Sequence, residues 1–196
     1  MILLLAAMEW EVAPLRHGRA FDTQAVAIGV TGIGPHLAQT GAARFIHQYE
    51  PDWVVGLGLC GGLAATTRTG DVVVPAELLS SRTGEVINTS PTDVLVQEGR
   101  MLSVDKVVIT PHDKRRMGDT YHATWVDQES YDWCLAATSA GIRCLVVRVV
   151  LDAAADYLPS WRQPGSWRSA LTLPNRALAA RKNLAAAGRR IICELL

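Results

Sequence analysis

Short, unbroken apolar runs alternate along this chain with longer stretches of helical spacing. Residues 2–6 (ILLLA), 25–30 (AVAIGV), 54–57 (VVGL), 72–74 (VVV) and 144–150 (CLVVRVV) are almost wholly apolar, as strands covered on both faces are. After the second run, Leu37, Gly41, Phe45 and Tyr49 recur every four residues beside Ala38, Ala42 and Ile46. That spacing predicts an amphipathic helix with a small-residue face. A second helix is expected from Asp127-Gln128-Glu129-Ser130 to about Ala140, where Gly141 ends it. A third, basic and amphipathic, is expected from about Pro174, with an apolar stripe through Leu178, Leu184, Ala185, Ile191, Ile192 and Leu195. Residues 101–108 and 123–126 read as further strands, and 80–100, rich in Ser, Thr and Gly, as a loop or irregular hairpin. Residues 111–117 (PHDKRRM) read as a short solvated helix on which His112 is a surface residue. Strands alternating with helices in this way imply one α/β layered domain over residues 1–196, with an aromatic loop and the basic helix filling 156–196.

The stretch from Val54 to Pro75, VVGLGLCGGLAATTRTGDVVVP, organises the rest. It reads as a buried strand, a glycine-rich turn at Gly58, Gly61 and Gly62, and a second apolar strand after the Gly70-Asp71 turn. Such a turn can line a ligand with main-chain amides, although turns of this composition also join strands with no ligand at all. Thr31-Gly32-Ile33-Gly34 makes a second tight turn that opens a helix and aims N–H groups at an anion. Acids follow strand ends three times: Glu9 and Glu11, Asp127 and Glu129, and Asp152. In open α/β sheets that edge is where ligands bind, and several acids meeting there suit acid–base chemistry. Each taken singly is also what a first helical turn prefers, and Asp127 could cap the helix after it.

Composition narrows the classes. With 196 residues, 49% of them hydrophobic, the chain is long enough for a substantial core. Nineteen basic and nineteen acidic side chains cancel, which gives no electrostatic reason to expect a nucleic-acid partner. The apolar start, MILLLAAM, is short, lacks a basic flank and runs into Glu9 and Glu11; it reads as a first strand rather than a signal peptide or membrane span. Cys60, Cys134, Cys144 and Cys193 show no metal-like spacing and are expected to be free thiols in a reducing cytoplasm. The basic C-terminal helix is expected to pack its stripe on the domain, with membrane contact the less favoured alternative.

Five stretches together resemble the purine nucleoside phosphorylase and nucleosidase superfamily: AAMEWEV at 6–12, TGIG at 31–34, CGGLAATTRTGDVVVP at 60–75, VDQES at 126–130 and VVRVVLDAAAD at 146–156. Within it, the branch containing methylthioadenosine/S-adenosylhomocysteine nucleosidases, futalosine hydrolases and hopanoid-associated phosphorylases is the most similar, the compact length and the tail resembling the last group. The resemblance implies a three-layer α/β fold, its central mixed sheet partly closed into a barrel and flanked by helices. It implies cleavage of the N-glycosidic bond of a purine nucleoside carrying a modified 5′ end. On it, Asp152 protonates the purine, Glu129 holds the ribose hydroxyls, and Glu11 activates water in the hydrolases. Gln128 stands beside the ribose glutamate; Cys60, Gly61 and Gly62 with Gly32 and Ile33 line the nucleophile and ribose side; Val126 runs beside the base. No metal or organic cofactor is implied, inorganic phosphate is an optional co-substrate, and a homo-oligomer, dimer or larger, is expected. The chain departs from the family pattern at Leu59, Gln128 and Leu151, where serine, methionine and serine are usual. Those changes leave open both the nucleophile and a second role, a nucleoside-binding protein with weakened catalysis. No arginine stands where the family places one for phosphate, so Arg44, Arg68 or Arg148 would have to be recruited from elsewhere in the fold or from a neighbouring subunit, and the aromatic stretch from Tyr157 to Trp167 is a candidate cover for an apolar 5′ substituent.

Overall fold

The computed structural model describes residues 1–16, 25–93, 95–159 and 167–196, with only the backbone described for 167–170. In chain order the elements are β1 (Ile2–Ala6), α1 (Glu9–Arg16), β2 (Val26–Val30), α2 (Pro35–Tyr49), β3 (Trp53–Gly62), β4 (Val72–Val73), β5 (Glu77–Ser80), β6 (Val86–Asn88), β7 (Arg100–Ser103), α3 (Pro111–Tyr121), β8 (Trp125–Asp127), α4 (Ser130–Ser139), β9 (Arg143–Asp152) and α5 (Trp167–Leu195).

All nine strands form one mixed sheet built around β3. Its first half pairs in parallel with β1, Ile2 against Trp53 through Leu5 against Gly56, and β2 continues that edge. Its other side runs parallel to β9 from Trp53–Arg143 to Gly61–Asp152, with a register shift between Cys60 and Gly61. Beyond the end of β1, Gly61 and Gly62 pair antiparallel with Val126 and Trp125 of β8. From β8 the sheet continues through β7 and β5 to β6. On the far side of β9 lies β4. Five strand spacings therefore separate β4 from β5, about 24 Å in a flat sheet. Only four residue steps join Val73 to Glu77, a reach of about 14 Å. The sheet has to curl on itself, as the resemblance implied. Main-chain bonds from Glu98 N to Val74 O (3.1 Å) and Ala76 N to Gly99 O (3.1 Å) close the seam.

Helices cover both faces. On one, Leu4, Val55, Leu57, Leu145 and Val147 pack beneath α1 and α5 through Val12, Leu15, Leu184, Ile191 and Ile192. On the other, Leu3, Leu5, Val54 and Val146 meet α2 and α4 through Ala38, Ala42, Trp133 and Ala137. Each aliphatic side chain so buried contributes roughly 1.5–3 kcal/mol. The C-terminal helix thus packs its stripe on the domain as expected, although Leu178 stays exposed. No helix among the described residues is long and apolar enough to cross a membrane.

Several sequence expectations are corrected. The expected turn at 58–62 is the second half of one ten-residue strand. Its glycines are there for space. A Cβ on Gly58 would stand 2.1 Å from Arg148 Nη1, and one on Gly62 would stand 2.0 Å from Thr67 Oγ1. Within 80–100, β6 forms an antiparallel hairpin with the unanticipated β5. Strand β7 stops at Ser103, well short of Val108. Helix α5 starts at Trp167 and carries Pro174 inside it. Cys134 and Cys144 are joined in a disulfide between α4 and β9, which corrects the free-thiol expectation for that pair. Cys60 and Cys193 are free.

Candidate active site

The strand ends converge on a cavity of about 300 Å³, at the lower end of the range for small-molecule sites. Glu11 reaches it from the first turn of α1, Leu59, Cys60 and Gly61 from β3, Val126 and Asp127 from β8, and Arg148, Leu151 and Asp152 from β9. Glu11, Asp127, Glu129 and Asp152 therefore do meet at one place, whereas Glu9 is exposed and pairs with Arg16 at 2.7 Å. Ile33 and Gln128 among the expected contacts also line the cavity, whereas Gly32 and Gly62 do not. Gly62 is turned toward Thr67 and the main chain at Ala154 instead. Gln128 lies at the edge and donates Nε2 to Asp105 O at 2.9 Å.

Arg148 is the hub of one side. It is the one charged residue in the apolar run of β9 and is wholly buried at 1% exposure. Its Nη2 lies 2.5 Å from Asp127 Oδ2 and 3.5 Å from Glu129 Oε2. Nε donates to Ser130 Oγ (3.0 Å) and Nη1 to Leu59 O (3.4 Å), while the guanidinium stacks over Trp133. Burial works against its charge, but Asp127, Glu129 and Glu11 outweigh that and hold it protonated. Gly58 is the clearance that lets this side chain lie across β3. Arg148 is therefore committed to carboxylates rather than held ready for an incoming phosphate.

Around Arg148 the acids are differently held. Asp127 accepts from Ser103 Oγ (2.6 Å) and from the Ser130 amide at the start of α4 (2.9 Å), so it serves both as a cap and as an ion-pair partner. Glu11 accepts the Met8 amide at 2.9 Å and the Leu59 amide at 3.3 Å. Burial nevertheless raises its pKa, against the pull of Arg148. Glu129 accepts the Gly34 amide at 3.1 Å. The tight turn before α2 thus satisfies an anion of the protein itself. Burial pushes Glu129 up to about 7, helped by the negative charge of Asp127 and opposed by Arg148. A carboxyl poised there exchanges its proton near neutrality.

The other side holds Asp152, the last residue of β9. Burial raises its pKa, and an ion pair with Lys114 opposes the rise. Lys114 was not expected here, because 111–117 read as a solvated helix. Helix α3 extends to Tyr121 and turns this one residue fully inward while His112, Arg115 and Arg116 stay exposed. Nothing in a run of five polar residues marks which one faces in. Tyr157 is exposed and Leu158 lines the cavity, but residues 160–166 and the Trp167 side chain lie outside the described residues, and with them most of the expected aromatic cover. Val126 lines the cavity as expected for a base-side residue.

Comparison with known proteins agrees with this architecture. The family model described as "Phosphorylase superfamily" matches residues 11–90. Among solved structures, the futalosine hydrolase of Helicobacter pylori strain 26695 aligns over all of this chain and 97% of its own, with a TM-score of 0.81 and 16% identity. The 5′-methylthioadenosine/S-adenosylhomocysteine nucleosidase of Neisseria meningitidis, in complex with methylthio-immucillin-A, aligns over 100% and 99% with a TM-score of 0.80 and 18% identity. The S-adenosylhomocysteine nucleosidase of Streptococcus pyogenes, in complex with 5-methylthiotubericidin, aligns over 100% and 96% with a TM-score of 0.81 and 20% identity. At such identities the likeness is one of fold. The chain has the fold of the phosphorylase superfamily and, over residues 11–90, its sequence pattern.

Proposed function

We propose that this chain hydrolyses the N-glycosidic bond of a purine nucleoside bearing a modified 5′ group. The observation that carries the reading is the convergence of Glu11, Glu129 and Asp152 on one cavity, the first two facing the buried Arg148 and the last paired with Lys114. The nucleosidase names of the structural neighbours support it. In the proposed reaction Asp152 gives its proton to the purine ring as the C–N bond breaks, so the base leaves neutral. Glu129 accepts hydrogen bonds from the ribose hydroxyls. Glu11 takes a proton from the water that attacks the ribosyl cation, and the buried carboxylates stabilise that cation's charge. Ile33, Leu59, Val107 and Leu158 give the cavity an apolar wall suited to a hydrophobic 5′ substituent.

Water is favoured over phosphate as nucleophile by charge. Among the described residues, the cavity's guanidinium is already shared by Asp127, Glu129 and Glu11. A phosphate dianion placed about 4 Å from Glu11 would meet repulsion of several kcal/mol at the effective dielectric of such sites. The reading calls for no metal or organic cofactor and adds a homo-oligomeric, cytoplasmic protein, checked by light scattering after gel filtration and by fractionation. A second reading, a nucleoside-binding protein with little turnover, is favoured by one feature, the Lys114 cation that opposes protonation of Asp152.

The deciding experiment measures adenine and hypoxanthine release from adenosine, methylthioadenosine, inosine and futalosine, with and without phosphate. Release independent of phosphate is expected. Asp152→Asn and Glu11→Gln should each lower kcat by about 10²–10⁴-fold. Release only with phosphate would replace water by phosphate, and tight binding without release would favour the second reading.

A further inference from the structure

We propose that Lys114 is a positioning residue of the acid, gripping one carboxylate oxygen of Asp152 from α3 and fixing the other for the purine. The proposal rests on the nucleosidase reading above and deepens it. Lys114 has no exposed surface. A lysine so buried costs several kcal/mol unless its charge and all its protons are matched. Here they are matched fully. Nζ donates to Asp152 Oδ2, to Ala153 O at 2.8 Å and to Asp156 O at 2.8 Å. An ammonium has three protons to give, so none remains for a ligand, and Lys114 does not itself touch substrate. Its three acceptors all belong to the five residues from Asp152 to Asp156. The side chain therefore pins the segment that leaves β9 and takes up Oδ2, leaving Oδ1 as the oxygen available to a base.

A purely structural clamp would need only the two carbonyl bonds. The charge is the part that bears on chemistry. Asp152 is faced by Lys114 from α3, by Asp156 and Arg176, themselves paired at 2.8 Å, and by the buried Cys60 thiol of β3. Of these, Lys114 is the cation in direct contact, and it alone counters the burial of Asp152 at short range. It thus lowers the pH above which Asp152 has no proton to donate, against the burial that raises it.

Lys114→Gln separates the two roles, because the amide keeps two N–H donors for the carbonyls and removes the charge. On the cleavage substrate identified above, kcat is expected to fall at least tenfold with KM changed less than threefold. The alkaline limb of the kcat profile should move up by at least one pH unit, and Lys114→Arg should restore most of both. A limb and kcat that stay at wild-type values in Lys114→Gln would overturn the proposal, as would a lower melting temperature with the limb unmoved. If Lys114→Gln does not fold, the pair is read in the Asp152→Asn background. That variant strands a buried ammonium, so adding Lys114→Gln should raise its melting temperature. Melting losses that simply add would overturn the pairing. If the wild-type protein releases no base from any nucleoside, the function itself falls and this assignment with it. If the wild type cleaves and only the Lys114 variants behave as wild type, the function stands and the assignment falls.

Discussion

The two buried cations that serve this site, Arg148 in the cavity wall and Lys114 outside it on Asp152, live in opposite surroundings. Arg148 faces three carboxylates, Asp127, Glu129 and Glu11, whereas Lys114 faces one, Asp152, and spends its remaining protons on main-chain carbonyls. The arginine end has an excess of acid, and there burial, with the charge of Asp127, pushes Glu129 up to about 7. The lysine end is matched one to one. The choice of residues suits this: a planar guanidinium can serve several acceptors at once, and an ammonium acts as a compact point charge. One end therefore tolerates hydroxyls and a developing positive charge. The other holds a single acid in a defined place.

Breaking the arginine end should have the largest effect. Arg148→Met would leave Asp127, Glu129 and Glu11 buried without their cation. A loss of 3–5 kcal/mol or more is expected, read as failure to fold or as a sharply lowered denaturation midpoint. A midpoint within about 1 kcal/mol of wild type would mean that the three acids are neutral in the fold and that the hub is not electrostatic. Gly58→Ala attacks the same contact from β3. Its new methyl would stand 2.1 Å from Arg148 Nη1 and 3.2 Å from Glu11 Oε1, so the guanidinium must move. About 2–3 kcal/mol of destabilisation is expected, together with loss of base release. Unchanged release would show that Arg148 can be displaced without disturbing Glu11.

The proton on Glu129 gives a smaller effect with a definite sign. Glu129 titrates near 4.5 when unfolded and near 7 in the fold. Its neutral form is favoured by folding, so its contribution is complete below about pH 4.5 and is lost as pH rises through 7. Across that window the loss is at most about 3 kcal/mol. Thermal melts of the wild type should therefore fall between pH 5 and 8, and Glu129→Gln should flatten that fall and melt higher than wild type at pH 8. Parallel curves for the two proteins would place the proton elsewhere among the acids.

This contrast also separates what the sequence carried from what it hid. Strand ends are legible because unbroken apolar runs such as ILLLA must be covered, which places the acids after them near the sheet edge. That position offered Glu9, Glu11, Asp127, Glu129 and Asp152 alike, and the family resemblance singled out Glu11, Glu129 and Asp152. Arg148 left a trace, as the one charge in an otherwise apolar run, though its partners could not be read from it. Lys114 left none, since in PHDKRRM the inward face depends on where α3 settles against Leu63, Val104 and Val126. The glycines of β3 misled for a related reason. Their role is to clear room for Arg148 and Thr67, side chains 90 and 5 residues away from Gly58 and Gly62, and local turn chemistry does not encode such contacts.

The mildest probe acts at the lysine end. Gly61 pairs with Asp152 and Val126, and a Cβ there would come within 3.2 Å of Val126 Cγ1 and 3.4 Å of Asp152 Oδ2. These are tight but adjustable contacts with side-chain atoms, unlike the one at Gly58. Gly61→Ala should therefore fold, with a stability change of about 1 kcal/mol or less. Since the added methyl would meet both oxygens of the carboxylate, Oδ2 at 3.4 Å and Oδ1 at 3.6 Å, its consequence should fall on kcat while Arg148 and the Glu129 titration remain as in wild type. If Gly61→Ala instead shifted the pH dependence of the melts between pH 5 and 8, the two ends would be coupled through β3, and the division between a surplus-acid end and a matched end would fail.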